Sequence, residues 1–166
     1  MIKSDQIIHR FSIYEIKRHT FKPYDFKWTK FHENNSDFVH LYPEIQLDVE
    51  ENELIICSTV IDADNYSILT TRRIVTKENG IEDIGYMAGA TTHDYPFYVG
   101  HEKFNYILGA VVLPNGNAFR HFIEAGKACA MMIYGIRTLI WSQQLTDSRM
   151  INLMRLWDKR NKIDLK

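Results

Sequence analysis

Apolar and polar positions are patterned most clearly between residues 53 and 80. The run ELIICSTVI is almost unbroken in apolar residues from Leu54 to Ile61, as in a strand covered on both faces. The polar loop Asp62-Ala63-Asp64-Asn65 follows, and then YSILTTRRIVTKENG. In that segment Ile68, Thr70, Arg72, Ile74 and Thr76 fall on one face, and Ser67, Leu69, Thr71, Arg73 and Val75 on the other. Such alternation predicts a single strand over residues 66–76. Two β-type runs around a short polar loop are a hairpin signature, so antiparallel pairing is expected at the centre of the fold. Asn79-Gly80 marks the next turn, and residues 81–92 suit a third strand loosened by Gly85 and Gly89. Residues 93–103 read as loop. Residues 104–113 and 118–124 read as a second hairpin around Pro114-Asn115-Gly116-Asn117.

The period then changes. Cys129, Met132, Ile133, Ile136, Leu139 and Ile140 recur at three and four, which predicts a helix starting near Ala125-Gly126. Gly135 in its middle costs up to about 1 kcal/mol relative to Ala. It suits a helix that lies close to the sheet. A second, short helix capped near Thr146 or Asp147 puts Met150, Met154 and Trp157 on one stripe, and the chain from Lys159 is polar. The N-terminal region supports two readings. Ser4 can cap a short helix carrying Ile7, Ile8, Phe11 and Tyr14, but residues 11–16 also alternate as a strand would. Phe21, Tyr24, Phe26, Trp28 and Phe31 follow with lysines between several of them, as in one or two further strands.

The expected fold class is therefore α+β, with about six or seven antiparallel strands. Three pieces, YSILTTRRIVTKENG, ILGAVVLPNGNAFRHFIEAG and KACAMMIYGIRTLIW, resemble the second strand and turn, the late hairpin and the closing helix of bacterial pleckstrin-homology-like domains. The resemblance covers residues 48–141. It implies a curved sheet or partly open barrel closed by a C-terminal helix. Residues 1–47 would be an extension packed on the same domain, residues 48–145 the core, and residues 146–166 a helix and polar tail. Such folds host many binding functions, so no activity is carried over. Relatives that bind phosphoinositides place basic residues in the loop joining the first two strands. Here that loop holds Asp62 and Asp64 and no Lys or Arg, which counts against a lipid phosphate.

Composition narrows the function classes. An apolar fraction of 45% over 166 residues is enough for a packed core without staples. The two cysteines, Cys57 and Cys129, lie in apolar contexts without CxxC spacing and read as reduced thiols, with a disulfide as the alternative. There is no leader-like N-terminus and no run of about 20 apolar residues, so a soluble cytoplasmic protein is expected, without a membrane partner. The net charge of −1 makes a nucleic acid an unexpected partner, but it hides an uneven chain. Seven carboxylates, Glu44, Asp48, Glu50, Glu51, Glu53, Asp62 and Asp64, fall within residues 44–64 without a single Lys or Arg.

No phosphate loop, nucleophile elbow, catalytic constellation or cofactor motif occurs. His93, Asp94, His101 and Glu102 form the best acid–base or metal candidate, but without metal-ligand spacing. His121 reads as a surface or half-buried strand residue. Arg72 and Arg73 are expected on opposite faces of one strand, either in a structural ion pair or as a candidate anion site. The leading expectation is a non-enzymatic protein-binding module. Its seven carboxylates would meet a basic partner, as an immunity protein meets a toxin with a basic cleft. The alternatives are a ligand-binding or metal-dependent enzymatic domain using the His93–Glu102 loop, and single-strand nucleic-acid binding through FKPYDFKWTKF.

Overall fold

A computed structural model describes residues 4–163; the rest of the polar tail lies outside the described residues. The first described element is α1 (Asp5–His19), so the N-terminal region is helical rather than a strand, but the helix runs for 15 residues and the Ser4 side chain makes no capping bond. Asp5 in its first turn and Lys17, Arg18 and His19 in its last complement the helix dipole. Its buried face carries Ile8, Phe11 and Ile16. The three-residue strand β1 (Thr29–Phe31) and the helix α2 (Asn35–Leu41) follow, the latter capped by Asn34, which accepts the Asp37 N–H at 3.0 Å.

Five strands form one antiparallel sheet in sequence order: β1, β2 (Ile55–Asp62), β3 (Asn65–Thr70), β4 (Arg73–Glu78) and β5 (Ile81–Tyr86). A second antiparallel sheet holds β6 (Thr92–Asp94), β7 (Tyr106–Val112) and β8 (Ala118–Glu124). The α+β class is as expected, but the strands form two sheets and do not close into a barrel. The helix α3 (Cys129–Ser142) lies against both sheets and α1. The last helix, α4 (Asp147–Ile163), packs on α1.

Several expectations are corrected. The predicted single strand over residues 66–76 is two strands, folded back at Thr70–Arg73. No Gly or Pro makes that turn. The Thr70 hydroxyl makes it, accepting the N–H groups of Arg72 and Arg73 at 3.1 and 3.0 Å. The third strand stops at Tyr86, and the supposed loop after residue 92 contains β6 and a 3₁₀ turn (Phe97–Gly100). The second C-terminal helix is not short: it runs for 17 residues, through the segment read as tail. Its cap is Thr146, whose hydroxyl accepts the Arg149 N–H at 3.2 Å.

The main core lies between the helices and the sheets, and includes Phe11, Ile16, Leu69, Ile74, Met131, Met132 and Ile136. Phe11 stacks near Trp141 and Trp157, with centroids at 5.2 and 6.0 Å. Gly135 lets α3 approach the sheet: a Cβ there would meet Leu69 Cδ2 at 2.9 Å and Cys57 Sγ at 3.2 Å. A second core of Phe38, Ile45, Ile55, Val60, Tyr66, Ile68 and Val75 covers the other face of the five-stranded sheet, under α2. Cys57 and Cys129 are free thiols, and burial pushes both up from the ordinary thiol range. Among the described residues no helix is long and apolar enough to cross a membrane.

Candidate functional site

The seven carboxylates of residues 44–64 do not share one face. β2 separates them: eight residues span about 25 Å, with Glu53 just before its start and Asp62 at its end. At the near end the charges are paired within the chain. Glu53 is 1% exposed. Its Oε1 accepts from Arg73 Nε at 2.9 Å and the Thr70 hydroxyl at 2.6 Å; its Oε2 accepts from Arg73 Nη2 at 3.0 Å and the Glu50 N–H at 2.7 Å. Burial alone would raise the Glu53 pKa, but these donors outweigh it and hold the carboxyl below its usual range. Arg72 spreads its fork over Asp5 (2.9 Å), Glu50 (2.8 Å) and the Glu51 carbonyl (2.8 Å). Arg73 also donates to the Asp48 carbonyl.

Because Thr70–Arg73 is a turn, the two arginines do not alternate across a strand, and both reach the same acidic loop. Their donors are spent inside the protein, which leaves little of either fork for an external anion. Glu53 is likewise closed to any partner. Glu44, Asp48, Glu50 and Glu51 remain exposed, with Glu50 tied to Arg72.

The far end is different. The β2–β3 and β4–β5 turns lie side by side there, joined by the Gly80 N–H donating to the Asp64 carbonyl at 3.0 Å. They gather Asp62, Asp64, Glu78, Glu82 and Asp83, against which stand Lys77, 3.8 Å from Asp64, and Arg120, 2.8 Å from Glu78. Beside them a groove of about 780 Å³ opens between β4–β5 and β8. Its walls include Ile81, Asp83, Ala118 and Arg120, with Thr76, Glu78 and Phe119 between. The two sheets meet at Gly85, where a Cβ would lie 2.7 Å from the Phe119 ring, and they splay apart toward Ile81. Ile81 is 76% exposed, Ile84 41% and Tyr86 53%, an unusual apolar display on a sheet edge.

The histidine loop forms a different arrangement from the one expected. His93 on β6 reaches across β7 to His121 on β8, Nε2 to Nε2 at 2.8 Å. Gly109 of β7 makes room, since a Cβ there would lie 2.6 Å from His121 Cε1. His121 is fully buried, not a surface residue. Burial pushes the two imidazoles down to about 4 and about 3, so both are neutral at pH 7 and one donates to the other. Glu102 lies elsewhere, against Gly126. Among the described residues no group of three or more His, Cys, Asp or Glu is placed to hold a metal ion.

Apart from Phe21, which is 72% exposed, the aromatics of the basic stretch pack on the protein. Tyr24 meets Phe31 edge-on at 5.3 Å, and Trp28 meets Tyr106 at 5.8 Å. Glu124 fixes the segment by accepting the N–H groups of Lys27 and Trp28. A cleft of about 440 Å³ is lined by Tyr14, Lys17, Arg18, Lys22, Tyr24 and Asp158, among others. Lys17 is paired with Glu33 and Arg18 with Glu15, each at 2.7 Å. With Asp158 in the wall, that cleft is close to charge-balanced and lacks the positive funnel a nucleic-acid strand needs.

No protein-family model, no curated protein and no solved structure matches this chain. The geometry alone bears on function.

Proposed function

We propose that this protein is a non-enzymatic binding module that captures a basic protein partner through the splayed groove beside the two acidic turns. The observation that carries the reading is the coincidence there of exposed Ile81 with Glu78 and Asp83 in the groove walls and with Asp62 and Asp64 on the adjoining turn. An apolar centre with a charged rim is the ordinary composition of a recognition surface. Excess negative charge selects a partner with a basic face and speeds its encounter. A four-strand meander, a three-strand meander and a closing helix in that order also support a pleckstrin-homology-like architecture for residues 48–141. In the immunity-protein form of this reading, the face that meets the toxin keeps Asp62 and Asp64, gives up Glu44, Asp48, Glu50, Glu51 and Glu53 at the other end of the sheet, and gains Glu78 and Asp83.

The test is affinity capture from the native cell with the wild-type protein and with the Asp62→Lys, Asp64→Lys, Asp83→Lys triple variant, followed by identification of what is retained. A basic protein held by the wild type, released by salt and lost with the variant is the expected result. A partner retained equally by both overturns the reading.

A further inference from the structure

We propose that the free edge of β5 receives an extended segment of the basic partner as an added strand, a mode of capture that rests on the reading above. β5 is the last strand of its sheet, with β4 on one side only. The ladder shows which groups are free. The Met87 N–H donates to the Arg72 carbonyl across the β4–β5 pair. Alternation along the strand then turns Gly85, Asp83 and Ile81 toward β4, and leaves the backbone groups of Glu82, Ile84 and Tyr86 facing outward.

One of these outward groups is already satisfied, and by a carboxylate. The Ile84 N–H donates to Asp83 Oδ1 at 3.0 Å. A neutral strand would have to displace that bond without compensation. An incoming arginine offers Asp83 a stronger, charge-assisted partner and frees the Ile84 N–H for a carbonyl of the added strand. Asp83 thereby protects the edge against indiscriminate pairing and admits a basic segment.

The side chains agree. Asp83 and Gly85 face β8 and the groove, as the Gly85–Phe119 approach fixes, whereas Ile84 and Tyr86 lie on the opposite face. An added strand of alternating character therefore places basic residues over the groove, near Asp83 and Glu78, and apolar residues beside Ile84 and Tyr86. A second copy of the chain is the poorer occupant, because it offers Asp83 and Glu82 no cation from β5: that strand carries two carboxylates and no Lys or Arg.

The probes are a soluble peptide of five Arg-Val repeats, two derivatives N-methylated on the Arg or on the Val amides, and a lysine peptide of equal length. Binding is measured by calorimetry at low salt. An added strand turns only one alternate set of amides toward β5. One methylated derivative should therefore lose binding by about tenfold or more, and the other should keep it. The variant Ile84→Pro removes an outward N–H that β4 does not use, and should lose the parent peptide while keeping its melting temperature. Equal effects of the two methylations overturn strand addition; if the lysine peptide still binds, the basic-partner reading survives. Failure of every basic peptide to bind overturns both. Self-association of the protein that Ile84→Pro abolishes assigns the edge to a second copy and overturns the proposal. Should Ile84→Pro not fold, the methylated pair decides.

Discussion

The two ends of the five-stranded sheet are both rich in carboxylates, yet they use them in opposite ways. At the Thr70–Arg73 end, Glu53 is buried and saturated by four donors, and Asp5 and Glu50 share Arg72. At the other end, Asp62, Asp64, Glu82 and Asp83 are exposed at or beside two adjacent turns, with Glu78 half-buried against Arg120 and Glu82 accepting from the Tyr66 hydroxyl. A buried carboxylate with its guanidinium is an internal part whose loss leaves the partner charge stranded. Exposed carboxylates on turns contribute little to stability and are available to a partner. Charge density along the chain does not distinguish these cases; position relative to the turns does.

Acid should separate them most forcefully, because three imidazoles join Glu53 on the buried side. Burial lowers His32, like His93, to about 4, and His121 to about 3. In the unfolded chain each takes up its proton near pH 6.5. Their contribution is complete above that value and is lost as pH falls toward the folded values. The loss reaches at most about 4 kcal/mol per pH unit if all three act together. Glu53, lowered in the folded state, adds a further loss below about pH 4. Urea unfolding at pH 7, 5.5 and 4.5 should show a decline that has already begun by pH 5.5. A flat profile from 7 to 5 would remove the imidazoles from the account.

Next in size is Glu53→Ala, which strands the Arg73 charge and should cost about 3–5 kcal/mol by equilibrium unfolding. Thr70→Val keeps the shape but deprives two N–H groups of their acceptor, and should cost about 2 kcal/mol. A loss under half of that would mean that the turn closes without the hydroxyl. Smallest is the triple reversal of Asp62, Asp64 and Asp83 to Lys, which should leave the melting temperature almost unchanged while abolishing partner capture. A marked fall in melting temperature would show that this end, too, is internal structure.

The same contrast explains what could be read from the residues alone. Asn79-Gly80, Pro114–Asn117 and the three-and-four spacing of α3 carry local signals, and each element formed where they placed it. The Thr70–Arg73 turn carries none: it depends on a hydroxyl, in a stretch whose alternation suits an unbroken strand. Glu53 and Arg73 are 20 residues apart and meet only because that turn exists. His93 and His121 meet across an intervening strand, 28 residues apart. The groove exists because two sheets diverge, which alternation within a strand does not encode. The exposed Ile81 was the one local hint, an apolar residue directly after a turn.

The docking of α1 on α3 and α4 bears on how the protein is made. Ile8, Phe11 and Ile16 leave the ribosome well before Trp141 and Trp157, which Phe11 meets and which come more than 120 residues later. At ordinary translation rates of about 5–20 residues per second, that apolar stripe waits roughly 6–25 s for its cover. During synthesis the apolar stripe of α1 thus stays uncovered until the C-terminal helices follow, and residues 8–16 should be a site of chaperone engagement.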